Sequence, residues 1–288
     1  IEIDDLRLNA GELSAYIRRC GTSLTDSQLE QLLKSSEGWF AAVYLNLCSF
    51  SKSGELPGKT SDIYQMFSAS MLNPLPEDRK EFLSTMGLAD EFTEEMAEFI
   101  TKREDVHQIL KMLTRQNAFV TCLNDGQTYR FHHMMKECAF RAFRTLDDSR
   151  QAFYYERYGA WYEKHGAYIH ALSAYWRNQN FAAILRVVQK DAGILLASLK
   201  PEDVLEALNR CPVSVLKEYP LAILVLMRCM FNWKNIPKML ELKALLLASI
   251  REHPKLSEEE RGNLLGECDL IQSFLMYNDI SRMSQFHR

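Results

Sequence analysis

Apolar residues recur at intervals of three and four along most of the chain, the spacing of one face of an α-helix, and one stretch breaks that rhythm. Up to about residue 56 the pattern predicts three helices. The first opens at Asn9 or Gly11 and carries Glu12–Ile17. The second follows Thr25-Asp-Ser-Gln28, a side-chain cap with Gln three residues on, before Leu29, Leu32 and Leu33. The third runs through Glu37–Leu47. A polar connection rich in Ser, Gly, Lys and Pro covers 51–60, and helices are predicted near 62–73, 77–88, 93–100 and 104–116. Thr93-Glu-Glu suits a helix start, where the macrodipole favours negative charge. The rhythm then fails at Ala118–Leu123, a run with β-branched and aromatic residues. Asn124-Asp125-Gly126 follows, a turn tolerant of positive φ, then a returning strand Gln127–Phe131, after which His132-His133 opens another helix. Helix, hairpin, helix is the order of a winged-helix element.

From residue 147 onward the pattern becomes one of paired helices. Ser149–Lys164 and Tyr168–Asn178 are joined by His165-Gly166-Ala167, and a further helix opens at Asn180-Phe181. Gly159 and Ala171 stand twelve residues apart, Tyr162 follows the Gly by three and Tyr175 the Ala by four, the small and aromatic positions of a tetratricopeptide-type unit. Segments 215–232, 236–252 and 257–277 keep the helix-turn-helix rhythm without that consensus. Such degenerate repeats predict a superhelix with a concave face for a partner. The fold expected is mainly α.

Composition sharpens this picture in a few places. With 288 residues, 12 Gly, 8 Pro and 47% apolar residues, the chain has enough material for two or three domains and a core that needs neither disulfides nor metal. Its seven cysteines, at 20, 48, 122, 138, 211, 229 and 268, form no Cys-x-x-Cys pair and read as reduced core thiols. The longest apolar run, Leu221–Met227, is far below the roughly 20 residues that cross a bilayer, and no leader opens the chain, so a cytoplasmic place without membrane contact is expected. Beginning at Ile1 and stopping at Arg288, it reads as a piece of something longer. A net charge of −4 and pI near 6.0 give no overall footprint for nucleic acid. Locally, Lys102, Arg103, Lys111, Arg115, Arg130, Lys136, Arg141 and Arg144 outnumber Glu104, Asp105, Asp125 and Glu137, a mild excess that a solvated helix face also explains.

Candidate chemistry is sparse. Gly54-Glu-Leu-Pro-Gly58-Lys59-Thr60 ends like a phosphate-binding loop, but Ser53 stands where its first Gly belongs and no buried strand precedes it. A linker is the better reading. His132 and His133 sit between a strand and a helix start, where an imidazole projects toward an anion docked at the helix N-terminus or else caps and packs. Tyr154, Tyr155, Tyr158, Trp161 and Tyr162 form an aromatic stripe; Tyr155, Tyr158 and Tyr162 are candidates for a ligand or partner surface, with inter-helix packing as the alternative. No nucleophile elbow, zinc pattern, His-Glu-x-x-His or dinucleotide fingerprint occurs, and Glu94, Glu95 and Glu98 read as a solvated face. No catalytic residue and no metal site is assigned.

Taken in order, Asp5-Leu-Arg-Leu8 with the helix after it, Glu37-Gly38-Trp39-Phe-Ala-Ala, and above all Tyr129-Arg-Phe-His132-His-Met-Met resemble the middle of large ATP-binding, MalT-like LuxR-type regulators within the STAND class of signalling ATPases. Glu259–Glu267 and Asn278–Met283 also look like segments of their repeat domains. The resemblance implies a helical lid of an ATPase region over 1–56, a winged-helix module over 57–146 and truncated TPR-like repeats over 147–288. It implies an ATPase module upstream, which holds ATP or ADP with Mg, and a DNA-binding domain downstream. This piece would need no cofactor and would not be an enzyme by itself. In that class a histidine of the winged-helix module contacts the β-phosphate of ADP, and His132 is the match by position. An inducer, small molecule or protein, would act on the repeats, and DNA would be met only through the missing C-terminal domain. Two rivals stay open: a stand-alone winged-helix nucleic-acid binder with Lys136, Arg141 and Arg144 on phosphates, and a plain TPR-like interaction scaffold.

Overall fold

The computed structural model describes residues 7–36, 38, 40–53, 64, 68, 72, 75–115, 120–191 and 194–276. It divides into two compact units, Ile1–Asp147 and Asp148–Arg288.

The first unit opens with three helices, α1 (Ala10–Arg19), α2 (Asp26–Ser36) and α3 (Phe40–Ser53). Two start on reciprocal caps that occupy N–H groups otherwise left without a helical acceptor. The Asn9 side chain accepts the N–H groups of Gly11 and Glu12 at 3.0 Å while the Glu12 carboxylate accepts that of Asn9 at 2.9 Å. Thr25 and Gln28 repeat the exchange at 3.3 and 2.9 Å. Leu13, Ile17, Leu32, Val43 and Leu47 meet in a buried cluster, each worth roughly 2 kcal/mol removed from water. Between α2 and α3 the chain turns at Gly38 (φ 76°), whose carbonyl accepts the Leu8 N–H at 2.7 Å; a Cβ at Gly38 would stand 2.6 Å from the Leu8 carbonyl oxygen. Only glycine permits that approach. Helix α3 continues past Leu47 to Ser53, so the first residues of the expected polar connection are helical; the rest of it, and most of the helix expected near 62–73, lie outside the described residues.

Next come α4 (Glu77–Met86), β1 (Phe92–Thr93), α5 (Glu94–Thr101), α6 (Val106–Arg115), β2 (Val120–Cys122), β3 (Thr128–Phe131) and α7 (His133–Phe143). The hairpin expected from the turn residues is present: Gly126 has φ 69°, and the Asp125 carboxylate accepts the N–H groups of Gln127 and Thr128. The two-residue strand β1 was not anticipated. It pairs antiparallel with β3 on the edge opposite β2, giving a three-stranded sheet of order β1-β3-β2 among the described residues. Thr93 serves twice, pairing with Thr128 and then capping α5 by accepting the Met96 N–H at 3.2 Å. Behind the sheet, Phe82, Leu83, Met86, Ile100, Ile109, Leu113, Met135 and Phe143 are buried. This is a winged-helix module.

The second unit contains α8 (Asp148–Lys164), α9 (Tyr168–Arg177), α10 (Phe181–Lys190), a 3-10 turn (Leu195–Ser198), α11 (Pro201–Arg210), α12 (Val213–Lys217), α13 (Pro220–Asn232), α14 (Ile236–Glu252), α15 (Glu258–Ser273) and a closing 3-10 turn at Phe274–Met276. The segment expected as one helix over 215–232 is two. Pro220 has no N–H to continue α12, and it starts α13 in the first turn, where that loss costs nothing. The α9–α10 and α13–α14 turns are alike: a left-handed residue (Gln179, φ 52°; Lys234, φ 59°) is followed by an Asn whose side chain accepts the N–H three residues on. The repeated turn gives TPR-like helix pairs.

The tightest contact lies in the first pair. A Cβ at Gly159 would fall 2.4 Å from the Tyr175 ring, so α8 and α9 approach through the missing side chain. Tyr175 is fully buried, and its hydroxyl donates to Glu163 at 2.8 Å; Arg186 grips the same carboxylate with two bonds of 2.9 and 3.0 Å, and Lys190 adds one at 2.6 Å. The Arg186 guanidinium above all holds the Glu163 carboxyl at about 2, against burial that opposes it.

Gly159→Ala is therefore expected to lower the stability of this unit, read from urea unfolding, by about 1–3 kcal/mol through overpacking, despite the better helix propensity of Ala. Gly262→Ala and Gly266→Ala in α15, where a Cβ meets nothing within 4 Å, should raise it by roughly 0.5–1 kcal/mol. Equal signs at the three positions would contradict the close approach.

Candidate functional site

Strand β3 brings His132 to the junction with α7, and paired strands hold it there. Tyr129 donates its hydroxyl to Glu94 at 3.0 Å, and His107 Nδ1 lies 3.0 Å from the same carboxylate. Burial and Glu94 push the Tyr129 phenol up to about 12, so it stays a donor. Arg130 bonds Glu91 from the outer face, and Phe92 packs edge-on against Phe131 with ring centroids 5.4 Å apart. The strand thus leaves the sheet in a fixed direction.

At its end His132 is the N-cap of α7. Its Nδ1 accepts the Met134 N–H at 3.3 Å, and its carbonyl accepts the first helical N–H, from Lys136, at 2.9 Å. An Nδ1 that accepts carries no proton, so the neutral ring holds its proton on Nε2, an atom buried beneath the surface. Burial, first, and the neighbouring His133 and Arg7 charges push the ring down to about 4, which keeps it neutral at physiological pH. The His133 ring lies 4.7 Å away, centroid to centroid. The arrangement is a neutral N–H donor at a helix N-terminus, with a guanidinium in the same field.

Capping and anion recognition were alternatives for His132 in the sequence; the geometry assigns capping to Nδ1 and leaves Nε2 as the donor end of the same ring. Arg7 had no assigned role. Its only signal was membership of the Asp5–Leu8 segment, because nothing local shows that its charge acts on His132, far along the chain. The aromatic stripe is distributed inward: Tyr155 is 9% and Tyr158 3% exposed, and Tyr162 is half-buried against the cluster around Ala171 and Tyr175. Their rings pack between helices. Of the cations considered for nucleic acid, Lys136 pairs with Asp90, Arg141 donates to Glu137 at 2.9 Å and lies 4.5 Å over the Tyr64 ring, and Arg144 is the C-cap of α7. Among the described residues, no cluster of three His, Cys, Asp or Glu side chains has the geometry of a metal site, and no helix is long and apolar enough to cross a membrane.

A ring held near 4 against 6.5 in the unfolded chain stabilises the fold fully above pH 6.5, and that contribution is lost as pH falls toward 4, because the unfolded state then binds the proton. Some 2–3 kcal/mol is at stake. His132→Asn keeps a cap side chain without the titration and should flatten stability over that window. NMR titration of the His132 ring with a midpoint at or above 6 would refute the buried neutral state.

Residues 68–152 match the family described as the MalT winged helix domain. The HTH-type transcriptional regulator AlkS of Alcanivorax borkumensis is 22% identical over 150 residues, which span 51% of this chain and 17% of that regulator. A crystal structure of a Signal Transduction ATPase with Numerous Domains (STAND) protein with a tetratricopeptide repeat sensor, from Pyrococcus horikoshii, aligns over 98% of this chain and 40% of its own with a TM-score of 0.48 and 17% identity, too distant a likeness to carry an argument. The matched stretch contains the whole of α4 through α7 and the wing with His132 at its end. Residues 68–152 thus form a MalT-type winged helix domain, and about half of the chain is similar to a short part of an HTH-type transcriptional regulator.

Proposed function

We propose that this chain is the central signalling and sensing segment of a LuxR-type, ATP-dependent transcriptional regulator, non-catalytic by itself, that couples nucleotide state and inducer binding to DNA binding. The observation that supports it most is His132 inside a MalT-type winged helix: a neutral imidazole whose proton is directed to Nε2 by its own cap bond. The β-phosphate of ADP, presented by an ATPase module of the same longer protein, accepts a hydrogen bond from Nε2–H in a form of the protein that uncovers this buried atom, with Arg7 adding a favourable field. ATP or ADP with Mg belongs to that module and not to these residues. The helix pairs of the second unit receive the inducer, a small molecule or a protein. DNA is met through a separate domain of the longer protein, in keeping with the acid partners of Lys136 and Arg141. A cytoplasmic setting goes with this role.

The mechanism is a population shift. ADP bonded to His132 ties the ATPase module to the winged helix and favours a resting form. Inducer and ATP favour an opened form, each by its differential affinity for the two.

In the longer protein, His132→Ala and His132→Asn should both speed ADP release, by roughly tenfold or more for loss of a bond to a charged group, and raise transcription without inducer. Only His132→Ala should also cost cap stability, roughly 1 kcal/mol. ADP release and basal transcription unchanged in the Asn variant would remove His132 from the mechanism.

A further inference from the structure

The second unit holds a cavity of about 320 Å³ whose walls come from α9, α10, the 3-10 turn, α11, α12 and α13. Trp176, Phe181, Leu185, Leu196, Leu208 and Leu226 are among the apolar side chains that line it. Trp176 and Phe181 meet edge-on at 6.0 Å, and burial pushes the Cys211 thiol in the wall up to about 11, so it remains protonated. The polar lining is limited to Ser173, Asp203 and Glu206, all exposed. No Lys, Arg or His lines the cavity among the described residues.

Charge at the mouth narrows what enters. Arg210 stands 5.2 Å over the Trp176 ring and pairs with Glu206 at 3.4 Å, which offsets that carboxylate and leaves Asp203 as the net charge. An anion would lose its hydration inside without gaining a cation, and it would pass a carboxylate on entry. A sugar or other polyhydroxylated molecule would leave most of its hydroxyls unbonded against leucines and aromatics. Taking about 30 Å³ for a water-sized group, the space accommodates on the order of ten non-hydrogen atoms. Cavities of this size and lining are those that take small molecules.

We infer that this cavity is a binding site for a small, uncharged and largely apolar molecule, which enters between α9 and α11 and turns a single polar group toward Ser173 and Asp203. The inference rests on the reading of the second unit as the sensing part, and it gives that part a ligand class. Filling the space bridges helices from successive pairs, α9–α10 on one side and α11 and α13 on the other, and biases how they pack. A ligand that binds one packing better shifts the unit toward it.

The test uses the whole chain and two flexible probes of equal length, octan-1-ol and octanoate, so that a mismatch of rigid shape does not decide the result. Calorimetry at pH 7 should give saturable one-site binding of octan-1-ol at least tenfold tighter than octanoate, with a rise in melting temperature and a change in Trp176 fluorescence. Ala207→Phe, which fills the cavity from a half-buried wall position, should weaken octan-1-ol at least tenfold while the circular dichroism spectrum is kept. Asp203→Lys, at an exposed mouth position that leaves the core untouched, should tighten octanoate at least threefold and narrow the preference for octan-1-ol, because a cation replaces the carboxylate that repels the anion. Absence of saturable octan-1-ol binding, octanoate binding as tightly, or an Asp203→Lys variant with the wild-type octanoate affinity would overturn the proposal. Such a failure leaves the ADP behaviour of the His132 variants intact, whereas normal ADP release in those variants with octan-1-ol still bound here would sink the relay and spare the cavity.

Discussion

Strand β3 is the constraint on which the candidate site depends. It is short, yet it pairs on both edges, with β1 through Tyr129 and Thr128 and with β2 through Phe131, Arg130 and Tyr129. A two-stranded hairpin alone is marginal in water, and the third strand together with the helices behind it makes the wing an ordered part of the fold. Alternation along β3 does the rest: Tyr129 and Phe131 face the core, Arg130 faces out to Glu91. The next residue is His132, and the helix begins at once. No loop intervenes to blur where the imidazole goes.

Much of this was legible in the chain. The hairpin followed from Asn124-Asp125-Gly126, and the starts of α1, α2 and α5 from Asn9, Thr25 and Thr93, because caps and turns are local chemistry confined to a few neighbouring residues. Strand β1 was not legible: two residues carry no periodicity, and Phe92-Thr93 becomes a strand only because β3, far along the chain, offers it a free edge. The break at Glu218-Tyr219 was legible in Pro220 and was passed over for the apolar rhythm on either side. Arg7 and the apolar cavity are long-range facts of another kind. Each depends on segments that no local pattern links.

In the second unit the same division holds. Gly159, Ala171 and Tyr175 announced a close helix pair, and the structure has it, with Tyr175 filling the place of the missing Cβ. What the spacing did not announce is the polar anchor below the ring. Glu163 is a nearly buried carboxylate, a costly group to desolvate, and it is tolerated because Tyr175, Arg186 and Lys190 together occupy its two oxygens. The outer halves of Arg186 and Lys190 remain in water, so their attraction is partly screened. The arrangement fixes the register of α8, α9 and α10 more than it adds stability.

The magnitudes explain why a neutral imidazole suits the role proposed for His132. A hydrogen bond to a charged acceptor contributes about 1.5–3 kcal/mol net, and coupling between sites in one protein is typically about 1–3 kcal/mol. The two are of the same size. Under the proposed function, an inducer acting on the repeats would then be able to offset the bond that holds ADP. A buried lysine in that position would bind phosphate more strongly but would carry a desolvation cost of several kcal/mol whenever the phosphate left. His132 avoids that cost, since burial and the nearby His133 and Arg7 charges keep it uncharged when no phosphate is present, and its cap bond to Met134 then keeps the proton on the far nitrogen.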